Sequence, residues 1–412
     1  MTAQLSELIP KKEGDGMSIS EQYDVVIIGA GPAGLSFARK IAPSGKKIAI
    51  IEKSSKEVLA NPPYDGREIA LTHLSKEIMQ HLDMWSKIPE DEIYLLKEAK
   101  VLNGRSDYTL HFPQPHTARG KPADTLGYLI SNHNIRRSAY EACQAFSNIH
   151  FVTGIGVESA SNDGHLPIVK LQDGTEMTAQ LLVAADSRFS NTRRQLGISC
   201  DMHDFGRTVM VFRTEHTKSN GLTATECFFY GSTLACLPLG QHMTNCVVTI
   251  DANRTHELLD LNREQLAAHM QSLLKNRLGD MKVLSDIHSY PLVGVHARSF
   301  CSHRSALIGD AAVGMHPVTA HGFNLGLESA HILGNLVLEA AAAGQDIGNS
   351  TLLQRYNLRH QAHTRIMYHG TNVVVKLFTN ETSPARFLRK AVVRLSNNMA
   401  PVKFLISRQL TG

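Results

Sequence analysis

The segment Gly29-Ala30-Gly31-Pro32-Ala33-Gly34 constrains this 412-residue chain more than any other. It follows a short β-branched apolar run at 23–28 (Y-D-V-V-I-I) and precedes residues 35–41, which read as a helix. Strand, tight turn and helix in that order form the first unit of a nucleotide-binding sheet. The first glycine permits the turn, and the second lets backbone approach a pyrophosphate without a Cβ in the way. The third lets the helix close onto the strand, so that phosphates sit at its positive N-terminus. A second strand at 47–51 delivers Glu52 where an acid is needed for ribose hydroxyls. A carboxylate there repels a 2′-phosphate, which leaves FAD and NAD and disfavours NADP.

Segments far along the chain bear on that choice. A strand at 181–185 leads into Asp186-Ser187-Arg188-Phe189-Ser190-Asn191-Thr192-Arg193, and a strand at 306–308 leads into Gly309-Asp310. A strand ending in Gly-Asp places a carboxylate at a sheet's C-terminal edge, where a second set of sugar hydroxyls can be held. A helix from about 324 to 342 then aims its N-terminal N–H groups at an acceptor. The pyrimidine edge of a flavin is such an acceptor, and it becomes anionic on reduction.

With these segments in place, the chain resembles the class A flavoprotein aromatic hydroxylases of the para-hydroxybenzoate hydroxylase-like fold. Within them it is similar to the ubiquinone-biosynthesis hydroxylases, most of all the demethoxyubiquinol 5-hydroxylase branch. The motifs are G-A-G-P-A-G at 29–34, D-G-R-E-I-A-L at 65–71, A-A-D-S-R-F-S-N-T-R at 184–193, I-G-D-A-A-V-G-M-H-P at 308–317 and H-G-F-N-L-G-L-E-S-A at 321–330. A basic stretch at 379–390 completes them. Ser187 and Val313 stand where the family usually has Gly and His, and Thr319-Ala320-His321-Gly322 stands for Ala-Gly-Gln-Gly.

The resemblance implies an α/β fold in which a Rossmann-like FAD-binding domain is interleaved with a mixed-sheet substrate domain and a C-terminal helical region. The expected division is a flexible segment at 1–21, the FAD-binding domain at 22–100, 113–200 and 296–345, the substrate sheet at 101–112 and 201–295, and helices at 346–412. It implies that Gly29, Gly31, Gly34 and Glu52 hold the ADP half of FAD, with Arg67 over the pyrophosphate or ring. Asn132 and Arg136 fall near the ribityl and phosphate region, Asp310 binds a ribityl hydroxyl or the pyrophosphate, and Asp186 and Gly309 join the cofactor-binding set. Pro317, Gly322, Phe323 and Asn324 line the ring, and His321, beside it, is the candidate catalytic residue. The implied reaction is hydroxylation of a polyprenyl phenol or quinol, with NADH or NADPH reducing FAD and dioxygen forming a flavin hydroperoxide. An isoprenoid reductase on the same fold and a flavin-binding scaffold subunit are the alternatives, whereas a halogenase's paired-Trp segment is impossible with the single Trp85.

The remaining composition sets limits. A net charge of +4 is too small to imply a nucleic-acid partner. The six cysteines show no ligand spacing, and His360 and His363 lack a third ligand, so no metal site is expected and the pair reads as a solvated helix face. Ser190 lacks a G-x-S-x-G elbow. No apolar run reaches membrane-spanning length, which predicts a cytoplasmic protein. The basic, amphipathic segment 384–412 is expected to contact a membrane surface or a biosynthetic complex peripherally.

Overall fold

Val25, Val26 and Ile27 are consecutive and fully buried, because their strand, Glu21–Ile28, lies inside a parallel sheet covered on both faces. The computed structural model describes residues 21–103, 109–112, 125–229, 231–316, 321–379 and 382. Its first sheet runs in the order Cys301–Ser302, Ser305–Leu307, Glu176–Ala184, Glu21–Ile28, Ile48–Glu52, Ile149–Thr153. All neighbours but the first pair are parallel. A hairpin of Val157–Ser161 and Ile168–Leu171 joins antiparallel to Glu176–Ala184. Helix Pro32–Ile41 connects the first two strands and packs against helices Asn132–Gln144 and Gly322–Ala342.

Parallel strands end at one edge, so residues far apart in sequence meet there. Gly29, Glu52, Asp186 and Gly309 each follow or close one of four adjacent strands.

The second sheet has nine strands, antiparallel except where Thr223–Phe228 runs parallel to Glu98–Asn103. Its central strand, Cys200–His216, is far longer than the apolar run at 208–212 suggests. The register shifts between Asp204 and Thr208, and Gly206, at φ +63°, takes the left-handed backbone that carries the bend. Both sides of the bend pair with strand His288–Ala297, 200–204 with 293–297 and 208–211 with 288–291. One face of this sheet buries Met210, Phe212, Cys246 and Val248 against Leu266 and Met270 of helix Arg263–Leu273. That helix ends at Leu273, and Lys275 and Asn276 beyond it adopt positive φ. The opposite face looks toward the first sheet. A small third sheet joins Glu68–Leu71, Gly127–Ser131 and Tyr94–Leu96.

The helix Ser350–Thr379 closes the described chain, and the segment 384–412 lies outside the described residues. Among the described residues no helix is long and apolar enough to cross a membrane. His360 corrects the expectation of a solvated face. It is 1% exposed, stacked on Tyr356 and beside Phe300, because this side of the helix packs on the parallel sheet's edge strand.

Candidate active site

At the carboxyl edge of the parallel sheet, the three glycines of the first turn have three different surroundings. Gly29 has φ +108°, and a Cβ there would run into the Ala185 carbonyl. A Cβ on Gly34 would strike the carbonyl of Gly29. Gly31 caps the helix Pro32–Ile41, and a Cβ on it would meet nothing within 4 Å. Two glycines are therefore needed by the protein and the third leaves room for something else. Glu52 frames that room: its Oε2 accepts the Ala30 N–H at 2.9 Å and its Oε1 the Ser54 N–H at 2.9 Å. A carboxylate accepts about four hydrogen bonds, so the side chain that shapes the turn keeps lone pairs for sugar hydroxyls.

Across the cleft, Asp65 gathers two predicted residues. Its Oδ2 accepts from Arg67 Nε and Nη2 at 3.0 and 2.5 Å and from Asn132 Nδ2 at 2.7 Å. Burial opposes ionisation of Asp65, but Arg67 and Asn132 outweigh it and hold the carboxyl below its ordinary range. The Arg67 guanidinium also lies 5.3 Å from the Tyr290 ring centre. Arg136, one turn beyond Asn132, lines the same cavity.

Asp186 accepts from Thr192 through Oδ2, while its buried Oδ1 has no partner among the described residues. Gly309 sits at φ +60°, with its N–H donating to Ser329. Asp310 pairs with Arg188, Nη2 to Oδ2 at 2.9 Å. Sequence reasoning missed this arginine. It also missed Arg193, which is 1% exposed and donates to the carbonyls of Arg188 and Ala311 at 3.2 and 2.9 Å. Arg193 thus ties the 186–193 loop to the Gly309-Asp310 turn. The available signal was an arginine following a short apolar strand, which does not distinguish a buried cation from a solvated one.

Gly322 and Phe323 open the helix Gly322–Ala342 at the cavity wall. The Asn324 side chain is turned away: Oδ1 accepts from Thr72 N and Ser75 Oγ, and Nδ2 donates to the Ala70 carbonyl. It pins the helix start to strand Glu68–Leu71. His321 flanks the helix without capping it by its side chain, and it is not among the residues lining the cavity. Pro317 lies outside the described residues.

These groups surround one cavity of about 760 Å³, which runs from Glu52 past Gly31, Asp310 and Gly322 to the inner face of the nine-stranded sheet. That face is floored by Val209, Val211, Ala235 and Val247. At its border Arg213 binds Glu68, Nη2 to Oε1 at 2.7 Å. The Glu68 side chain is fully buried, and burial pushes its pKa up to about 7 against the pull of Arg213.

A nucleotide cradle at the edge of a parallel sheet, continuous with an apolar pocket under a second sheet, defines the class: a flavin-type dinucleotide protein with a built-in substrate chamber. The chain belongs to the FAD binding domain family, whose profile matches residues 22–369. It is 59% identical over 407 residues to ubiquinone hydroxylase UbiM of Neisseria meningitidis, covering 99% of this chain and 88% of that one. To ubiquinone hydroxylase UbiL of Rhodospirillum rubrum it is 28% identical, over 96% of this chain and 91% of that one. The structure of p-nitrophenol 4-monooxygenase PnpA from Pseudomonas putida shares the fold, with a TM-score of 0.76 at 16% identity, covering 95% of this chain and 99% of that one. The residues present fit FAD: the Cβ-sized gap at Gly31, the spare acceptors of Glu52 and the unpartnered Asp186 Oδ1 all line one cavity.

Proposed function

We propose that this chain is an FAD-dependent monooxygenase that hydroxylates the aromatic ring of a polyprenyl phenol or quinol in ubiquinone biosynthesis. The observation that carries the reading is the continuity of the cavity, from the nucleotide cradle to an apolar sheet floor, in a chain 59% identical to a ubiquinone hydroxylase. FAD, when bound and reduced by NADH or NADPH, supplies the activation of dioxygen. The protein supplies position and dryness. Gly29, Gly31, Gly34 and Glu52 hold the ADP half, and Arg67, Asn132, Arg136, Asp186 and Asp310 surround the middle of the cofactor. Gly322 and Phe323 bring the positive helix end to the ring. Val209, Val211, Ala235 and Val247 keep water from the reacting centre.

The same reading gives 384–412 a task. A polyprenyl substrate resides in a bilayer, and a basic amphipathic segment brings the enzyme to that surface or to a complex there. The deciding experiment is the quinone profile of cells lacking this protein. A prenylated intermediate short of one ring hydroxyl accumulates, and the wild-type chain restores ubiquinone. An unchanged profile, or an intermediate with an unreduced side-chain double bond, overturns ring hydroxylation.

A further inference from the structure

The floor of the substrate end of the cavity is built from aligned rows of side chains. Val211 pairs with Val247, Val247 with Ala235, and Ala235 with Glu226, so these four stand side by side across four strands. The adjacent row is Val209, Thr249 and Thr233. All seven line the cavity, as the period of two in each strand requires. Glu226 is the one ionisable group among them. Among the described residues it has no hydrogen-bond partner and no counter-ion, and its neighbours in the row are apolar.

Taking the functional reading above as its basis, we propose that Glu226 hydrogen-bonds a ring oxygen of the bound substrate and selects an uncharged phenol or quinol over a carboxylated ring. A carboxyl set in an apolar wall stays protonated, and burial pushes Glu226 up to about 8. In that form it offers one O–H donor and one carbonyl acceptor, the pair a phenolic hydroxyl needs. A substrate carboxylate fares worse. Neither row contains a cation, and Arg213, two residues along the strand from Val211, is held by Glu68 at 2.7 Å, so a carboxylate beside Glu226 would meet an acid, methyl groups and the Thr233 and Thr249 hydroxyls. Nothing in the strand T-A-T-E-C-F marks this residue until the register sets it beside Ala235.

The test uses the full-length, FAD-loaded protein titrated with 2-prenylphenol and with 4-hydroxy-3-prenylbenzoate, followed by perturbation of the flavin absorbance band. The parent binds the phenol more tightly than the benzoate. Glu226→Leu weakens the phenol about tenfold, the loss of one buried hydrogen bond to an otherwise unsatisfied group. Glu226→Gln, a neutral donor and acceptor, restores it to within about threefold of the parent. Glu226→Arg reverses the preference in favour of the benzoate. Bound flavin per chain and the melting temperature report that each variant is folded. Equal phenol affinity in the parent and Glu226→Leu, or Gln binding as weakly as Leu, overturns the assignment of Glu226 while leaving the hydroxylase reading intact. A flavin-loaded parent that binds neither probe overturns both.

Discussion

Gly31 and its two neighbouring glycines serve different masters, and substitution separates them. A side chain at Gly31 meets open space in the protein, so Gly31→Val folds; its branched carbons instead occupy the room left for the pyrophosphate. The variant is expected to purify with a parental far-UV spectrum and without flavin absorbance. Gly29→Ala and Gly34→Ala meet backbone carbonyls and lose the fold itself, which the same spectra show. Asp310 behaves differently again. Arg188 holds one oxygen of its carboxylate, Oδ2, and on the proposed reading the other accepts a charge-assisted bond from FAD that Asp310→Ala removes. The lost interaction, about 1.5–3 kcal/mol, corresponds to roughly 10- to 150-fold weaker FAD binding in an equilibrium titration. The fold is unaffected, because no core cavity opens.

Two elements depend on a single buried polar residue each. The loop 186–193 and the Gly309-Asp310 turn are joined through Arg193, whose guanidinium feeds the carbonyls of Arg188 and Ala311. Arg193→Met keeps much of the volume but leaves those carbonyls unpaired, at a cost of roughly 2–4 kcal/mol. Urea denaturation of the flavin-free protein measures it as a lower midpoint. The long helix Ser350–Thr379 carries His360, whose imidazole is buried against Tyr356 and Phe300. Burial lowers its pKa to about 4, with Glu328 opposing and His363 and His296 assisting. A base depressed in the fold contributes stability that is present above its unfolded value near 6.5 and is lost as pH falls through 4. The parent's melting temperature therefore declines between pH 6.5 and 4, and His360→Leu makes that decline shallower while leaving the pH 7.5 value closer to its own acid value.

For the molecule as a whole, the proposed surface role rests on the charge that follows the last described helix in the sequence. From 382 to 412 there is no acidic residue, against six basic ones: Arg386, Arg389, Lys390, Arg394, Lys403 and Arg408. Each contributes on the order of 1 kcal/mol near an anionic surface and is screened by salt. The parent is expected to co-sediment with anionic vesicles at low salt and to be released at high salt. Changing Arg386, Lys390 and Arg394 to Glu abolishes pelleting, and equal pelleting refutes the surface role. The strand–turn–helix around Gly29, the acid at Glu52 and the Gly309-Asp310 turn were legible in the chain. Each is a local pattern whose backbone conformation and charge are written in adjacent residues. The ion pair of Arg188 with Asp310, the burial of Arg193 and His360, and the turning of Asn324 away from the cavity were not. Nor was Glu226's place among Val211, Val247 and Ala235. Each of these depends on contacts between segments distant in sequence, and only the strand order and register of the folded sheets determine which side chains meet.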